Sequence, residues 1–164
     1  MIEINISTAQ KLTSPNPFAL ISTQKPDGLT NLMAISWWTY VSNNPAMIAI
    51  SLSNKGFSGE CIRQNKDFGL SIVGEKIRDA AFKCGTCSGR NTDKAKEFEI
   101  PLFDAVLIAP KLVFGSRLCF ECRTSQIYTV SDHTLYIGEV LKIHADPDTA
   151  GLYAINGYST LGIL

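Results

Sequence analysis

Asn31-Leu-Met-Ala-Ile-Ser36-Trp-Trp38 and, a turn later, Ala49-Ile-Ser51-Leu-Ser53-Asn-Lys55 are the stretches on which the fold turns. Both have strand character. In the first, residues 32, 34, 36, 38 and 40 share one face and 33, 35, 37, 39 and 41 the other, because successive side chains on a strand point to opposite sides. Met33, Ile35, Trp37, Thr39 and Val41 read as a core stripe; the opposite face sets Ala34 beside Ser36. In the second stretch Ile48, Ile50 and Leu52 alternate with Ala49, Ser51 and Ser53. Two adjacent strands with narrow hydroxyl-bearing faces line either a groove wide enough for a flat ligand or an ordinary surface turned to water. Alternation alone does not choose between them.

The flanking sequence is punctuated like a mainly antiparallel protein. Residues 1–17 read as a lead-in, stiffened by Ser14-Pro-Asn-Pro17, which precludes a helix there. Residues 18–23 form a strand, Gln24-Lys-Pro-Asp-Gly28 supplies a turn, and the chain returns along 30–41 as a hairpin partner. Asn43-Asn-Pro45 turns it again into 46–53, which completes a three-stranded meander. Beyond Gly56 the period changes: Phe57, Cys61 and Ile62 suit one face of a helix that starts near Ser58 and stops near Asn65. Residues 67–73 return to strand. A second helix spans 75–84, with Ile77, Ala80, Ala81 and Cys84 in helical register. A third, over 93–99, is followed by two long strands at 111–129 and 133–144. The prediction is one domain over 1–164, mainly β: a small antiparallel barrel with a few peripheral helices.

Composition excludes several classes of function. Fifteen basic residues balance fifteen acidic ones, so no cationic stripe exists for a nucleic-acid backbone. No apolar run reaches membrane-span length, and the N-terminus lacks the basic and apolar regions of a signal peptide. Five cysteines, an odd number, then read as reduced thiols of a cytoplasmic protein. An apolar fraction of 45% leaves room for a buried subunit interface.

Ser51, Ser53, Lys55 and Ser58 cluster where a strand hands over to a helix. Unpaired N–H groups and the positive dipole end make such a terminus attractive to anions, although no GxxxxGK[ST] is present and a capped helix beside a solvated lysine fits as well. Ser88-Gly-Arg90 with Lys94 is a second anion candidate, since arginine can grip a phosphate with two parallel bonds; a surface ion pair is its simpler reading. Cys84/Cys87 and Cys119/Cys122 form a CxxC…CxxC pattern suggestive of zinc. The second pair falls within a strand, however, where residues three apart face opposite ways. Cys84 and Cys87 could serve as a dithiol, with incidental thiols the default. His133 and His144 join no recognisable catalytic motif.

Further short elements follow one another along the chain. Asn16-Pro-Phe-Ala-Leu-Ile-Ser-Thr23 is followed by Asp27-Gly28 and Asn31–Trp37, then by Pro45 ahead of Ser51-Leu-Ser53. Next come Ser58 with Ile62, Asp67-Phe-Gly-Leu-Ser-Ile72, and Ser88-Gly-Arg90 with Asp93-Lys94. Glu121-Cys122, Leu135-Tyr-Ile-Gly-Glu-Val140, Leu152-Tyr153 and Gly157-Tyr158 complete the series. Together they resemble the flavin reductase-like, FMN-binding split-barrel family of the flavoredoxin type, across nearly the whole chain.

The resemblance implies a homodimeric antiparallel split barrel with FMN near the subunit interface. Asn31, Leu32, Met33, Ala34, Ile35 and Ser36 would border the isoalloxazine ring and ribityl chain, partly through backbone groups. Ser51, Leu52, Ser53, Lys55 and Ser58 would hold the ribityl and phosphate end, and Ser88, Arg90 and Lys94 the remaining phosphate side. The implied reaction is hydride transfer from NADH or NADPH to FMN, then electron delivery to a small-molecule or protein acceptor. Such chemistry belongs to the cofactor and needs no catalytic side chain. With no GxGxxG, the nicotinamide would dock on the flavin face. Serine at position 58, where the family often has threonine, is a conservative departure; the Cys84/Cys87 pair lies outside the family pattern. An FMN-bearing electron carrier and a zinc or thiol-redox module remain as alternatives.

Overall fold

Phe18-Ala-Leu-Ile21 is buried on both faces, which makes its strand an interior one. The computed structural model describes residues 1–164. Its elements begin with α1 (Ile6–Leu12), β1 (Asn16–Pro17), β2 (Ala19–Gln24), β3 (Thr30–Ile35), β4 (Trp38–Asn43) and β5 (Ala46–Ser53). Then come α2 (Phe57–Asn65), β6 (Asp67–Val73), a 3-10 turn (Glu75–Ile77), α3 (Arg78–Lys83) and α4 (Lys94–Glu97). The chain closes with β7 (Leu102–Phe103), β8 (Leu112–Val113), β9 (Ser116–Val130), β10 (His133–Ala145), β11 (Tyr153–Ile155) and β12 (Thr160–Gly162). Every strand pairing is antiparallel.

The main sheet has seven strands in the order β3-β2-β6-β9-β10-β5-β4. Its two edges, β3 and β4, are separated in sequence only by Ser36 and Trp37. Three steps between Cα atoms cover at most about 11 Å. A flat sheet of this width would hold its edges roughly 29 Å apart. The sheet is therefore curled until its edges approach, without pairing, which is the split barrel that the family resemblance implies. Ala19, Ile21, Ile48, Ile50, Phe68, Leu70, Phe120, Cys122 and Tyr136 pack inside the curl. A second core, including Phe18, Leu20, Leu32, Ala81, Cys84, Leu152 and Leu161, lies between the sheet, the helices and the small sheet β1-β11-β12.

The structure corrects the sequence reading in several places. Residues 30–41 are two strands, and no meander forms: β3 pairs with β2, while β4 pairs with β5 at the far edge. The core stripe ends at the break. Trp37, Thr39 and Val41 are exposed, and it is Trp38 that packs against the inner core, its Nε1–H donating to the Pro17 carbonyl (3.0 Å). The lead-in contains α1, capped by the Asn5 side chain, which accepts from Thr8 N–H (2.9 Å). This helix buries no residue, so it leaves no apolar period to read. The second and third helices are shorter than expected, and the 111–129 strand becomes regular only after Gly115, whose φ is +79°.

One polar group organises the loop between β7 and β8. The Glu121 side chain on β9 is fully buried and accepts from the N–H groups of Val106 (3.0 and 3.1 Å) and Leu107 (2.6 Å) and from His144 Nε2 (2.6 Å). Burial alone raises a carboxyl's pKa. Here the His144 bond and the two amides outweigh it and hold Glu121 below 4.5. A depressed carboxyl stabilises the fold fully above its unfolded value near 4.5, and that contribution is lost as pH falls through the folded value. Glu121→Gln is expected to cost about 1–3 kcal/mol in urea unfolding at neutral pH. The gap to wild type should close as the medium is acidified below the unfolded value; a gap independent of pH would contradict this account.

Candidate functional site

Because β3 pairs only with β2, the backbone groups along its other side have no strand partner. This edge strand borders a cavity of about 320 Å³, a size typical of small-molecule sites. Consecutive residues Met33, Ala34, Ile35 and Ser36 line it, with Trp37 at the break and Ser51, Leu52 and Ser53 from β5. A lining of consecutive residues means that the strand offers its edge as well as a face. The hydroxylated groove of the sequence reading is thus present, built from the edge of β3 and from β5. Its lining contains no Asp, Glu, Lys or Arg.

From this cavity β5 runs straight to the N-terminus of α2. Ser53 is followed by an Asn54–Gly56 turn, in which Gly56 N–H donates to the Ser53 carbonyl (2.9 Å). No side chain caps α2, a nine-residue helix, so its first-turn N–H groups lack a capping acceptor. Lys55 beside it is exposed and forms no ion pair within the chain. Arg90 lies over the Phe57 ring, 4.7 Å from its centroid, and pairs with Glu60 on α2. The hydrogen bond from Arg90 is the main reason the Glu60 carboxyl lies below its usual range.

Several predicted site residues work behind the cavity instead of lining it. Leu32 points into the second core. Asn31 is buried, its Nδ2 donating to Thr23 Oγ1 (3.0 Å) and Ser58 Oγ (2.9 Å), which ties β3 to the first turn of α2. Gly89 presses on the same amide: a Cβ there would sit 1.7 Å from Asn31 Oδ1, so only glycine permits the approach. Lys94 is buried, with Nζ donating to the Cys84 carbonyl (2.6 Å), and burial lowers its pKa. It braces the Cys84–Arg90 turn from within. Ser88 is exposed, its Oγ accepting from Arg90 N–H (3.3 Å).

Gln10, Asn16, His133, Ala154, Gly157 and Tyr158 complete the lining and were not among the predicted site residues. His133 opposes Ser53 in the β10–β5 register, a pairing that only the fold reveals. Its ring lies 5.0 Å from that of Trp37, and its Nδ1 is 2.9 Å from Asp132 Oδ1. That hydrogen bond is the first cause of the lowered Asp132 pKa. The Asn156-Gly157-Tyr158 corner is left-handed at all three residues (φ +51°, +66° and +88°). Tyr158 packs against Phe18 and Phe82, and burial raises its phenol pKa.

The cysteines do not converge. Cys122 faces the inner core and Cys119 the small cluster around Ile108 and Leu112. All five are free, and no three His, Cys, Asp or Glu side chains are grouped to hold a metal ion. Burial pushes the Cys84 thiol up to about 11, away from thiolate reactivity at neutral pH. The zinc or thiol-redox alternative therefore finds no support. No helix is long and apolar enough to cross a membrane.

This arrangement can be set beside known proteins. The crystal structure of a flavoredoxin from Methanosarcina acetivorans superposes with a TM-score of 0.88 at 20% identity, covering 100% of this chain and 91% of that one. An NADH:FAD oxidoreductase from Streptomyces globisporus C-1027 gives 0.86 at 16% identity, covering 100% and 98%. The NADH-dependent flavin reductase StyB of Pseudomonas fluorescens is 29% identical over 124 residues, which is 74% of this chain and 67% of StyB. A family model described as "Flavin reductase like domain" matches residues 12–162. The chain belongs to the flavin reductase-like family of flavin-linked oxidoreductases.

Proposed function

We propose that the protein is an FMN-dependent NAD(P)H oxidoreductase. The observation that carries this reading is the continuity of a cavity free of Asp, Glu, Lys and Arg, suited to a planar ring, with an uncapped helix N-terminus beside Lys55. About three to five residues of β5 and its turn separate the two, on the order of 10–15 Å at strand rise. A ring joined to a phosphate by a short polyol chain matches both ends. Met33, Ala34, Ile35 and Ser36 would border the ring, Ser51, Leu52 and Ser53 the polyol, and Lys55 with the first turn of α2 the phosphate. Arg90 would reach the phosphate by exchanging its Glu60 partner. Asn31, Leu32, Ser58, Ser88 and Lys94 would act as the frame that positions these groups.

Bound FMN would supply the redox chemistry, taking a hydride from a reduced nicotinamide and passing electrons to an acceptor. The protein's part is orientation and exclusion of water. Asp132 at Nδ1 would fix the His133 ring and leave Nε2 as its free nitrogen at the cavity. Trp37, tilted against that ring, would shield the mouth. The NADH dependence of StyB supports the nicotinamide assignment. A second copy of the chain is part of the proposal: Trp37 at the break and Tyr40 and Val41 on the edge strand β4 are exposed, apolar surface suited to an interface.

Anaerobic addition of NADH or NADPH to the FMN-loaded protein is expected to bleach its visible flavin absorbance. Should neither nicotinamide do so while FMN remains bound, the electron-carrier function would replace the reductase one. Sedimentation at micromolar concentration is expected to show twice the 17.9 kDa chain mass. A species of 17.9 kDa under those conditions would remove the dimer from the proposal.

A further inference from the structure

The cavity has a second wall of different origin. Opposite β3 and β5 it is bounded by α1 and the small sheet, through Gln10, Asn16, Ala154, Gly157 and Tyr158. Two of these carry side-chain amides, each with two donors and an acceptor. Neither amide has a partner within the chain. Gln10 is engaged through its backbone, as part of α1 and through its carbonyl, which accepts from the Thr13 hydroxyl (3.1 Å), and Asn16 through its backbone pairing with Ala154.

The segment that presents them is held in place for no reason of core packing. None of the α1 residues is buried. Its last turn is instead pressed onto Gly157, where a Cβ would come within 2.7 Å of Lys11 Cγ, and Gly157 N–H donates to Ser14 Oγ (2.8 Å). These contacts hold the end of α1 at the cavity that Gln10 and Asn16 both line.

We propose that Gln10 and Asn16 form a recognition edge for a planar, amide-bearing ring. The lining carries no fixed charge, so the complementary group is neutral and sets a donor beside an acceptor. The imide edge of a flavin pyrimidine and the carboxamide of a nicotinamide share this chemistry. The inference rests on the flavin reading above, and α1 thereby acquires a role in ligand selection that its lack of buried contacts otherwise leaves without one.

Gln10→Ala, Asn16→Ala and the double variant separate the two ligands. Because α1 buries no side chain, Gln10→Ala should melt at the wild-type temperature, so its binding data are interpretable even if Asn16→Ala proves less stable. Flavin fluorescence gives the FMN affinity. Equilibrium titration of the FMN-loaded proteins with NAD+ or NADP+, and with their 3-acetylpyridine analogues, gives the preference for a carboxamide over a methyl ketone without turnover. FMN binding weakened about tenfold assigns the edge to the flavin. Unchanged FMN binding with loss of a roughly tenfold carboxamide preference assigns it to the nicotinamide. Variants matching wild type in both titrations overturn the inference while leaving the flavin reading intact; a wild-type protein that binds no flavin overturns both.

Discussion

Two residues, Ser36 and Trp37, tether opposite edges of a seven-stranded sheet, and the rest of the structure depends on that tether. It forbids a flat sheet. The two edges nevertheless stay unpaired, β3 bonding only to β2 and β4 only to β5. The cavity is the space left between those limits. Curvature is supplied at β10, where the register shifts at Ile137/Gly138 and again at Val140/Lys142, as bulges do where a sheet must bend. Gly138 lets Phe68 cross close beneath: a Cβ there would lie 2.6 Å from the Phe68 ring.

Charge is divided along the site. The cavity lining holds no Asp, Glu, Lys or Arg, whereas the end of β5 carries Lys55, the uncapped terminus of α2 and, across Glu60, Arg90. An elongated ligand with an uncharged ring and an anionic tail has one orientation in such a site. The frame behind it is polar and buried: Asn31 between Thr23 and Ser58, Gly89 against Asn31, and Lys94 on the Cys84 carbonyl. These groups meet their hydrogen-bonding needs within the protein, so they hold shape at the expense of direct ligand contact.

Much of this was legible in the sequence where period and turn chemistry act locally. The bounds of β5, α2 and β6 follow from alternation, a helical face and a return to strand. The small residues at 34, 36, 51 and 53 mark a face that suits a groove or a wetted surface alike, and only the cavity decides for the groove. What stayed hidden depends on long-range pairing. The break after Ile35 cannot be read from a run in which both faces are plausible, and it turned Trp37 and Val41 outward. His133 joins the cavity only through its register with Ser53, 80 positions away, and Gln10 through a helix with no buried face. The motif residues Asn31, Leu32 and Lys94 read as ligand contacts because sequence order carries no information on which side of a wall a side chain stands.

The central claim is that one continuous site takes a ring in the cavity and an anion at α2. Fluorescence titration of the flavin-free protein with FMN and with riboflavin, which differ only in the phosphate, tests it most directly. The account predicts that FMN binds about ten- to a hundredfold more tightly, as charge-assisted hydrogen bonds to Lys55 and the helix terminus would give, with the advantage shrinking in Lys55→Ala. Equal affinities for the two flavins would contradict it.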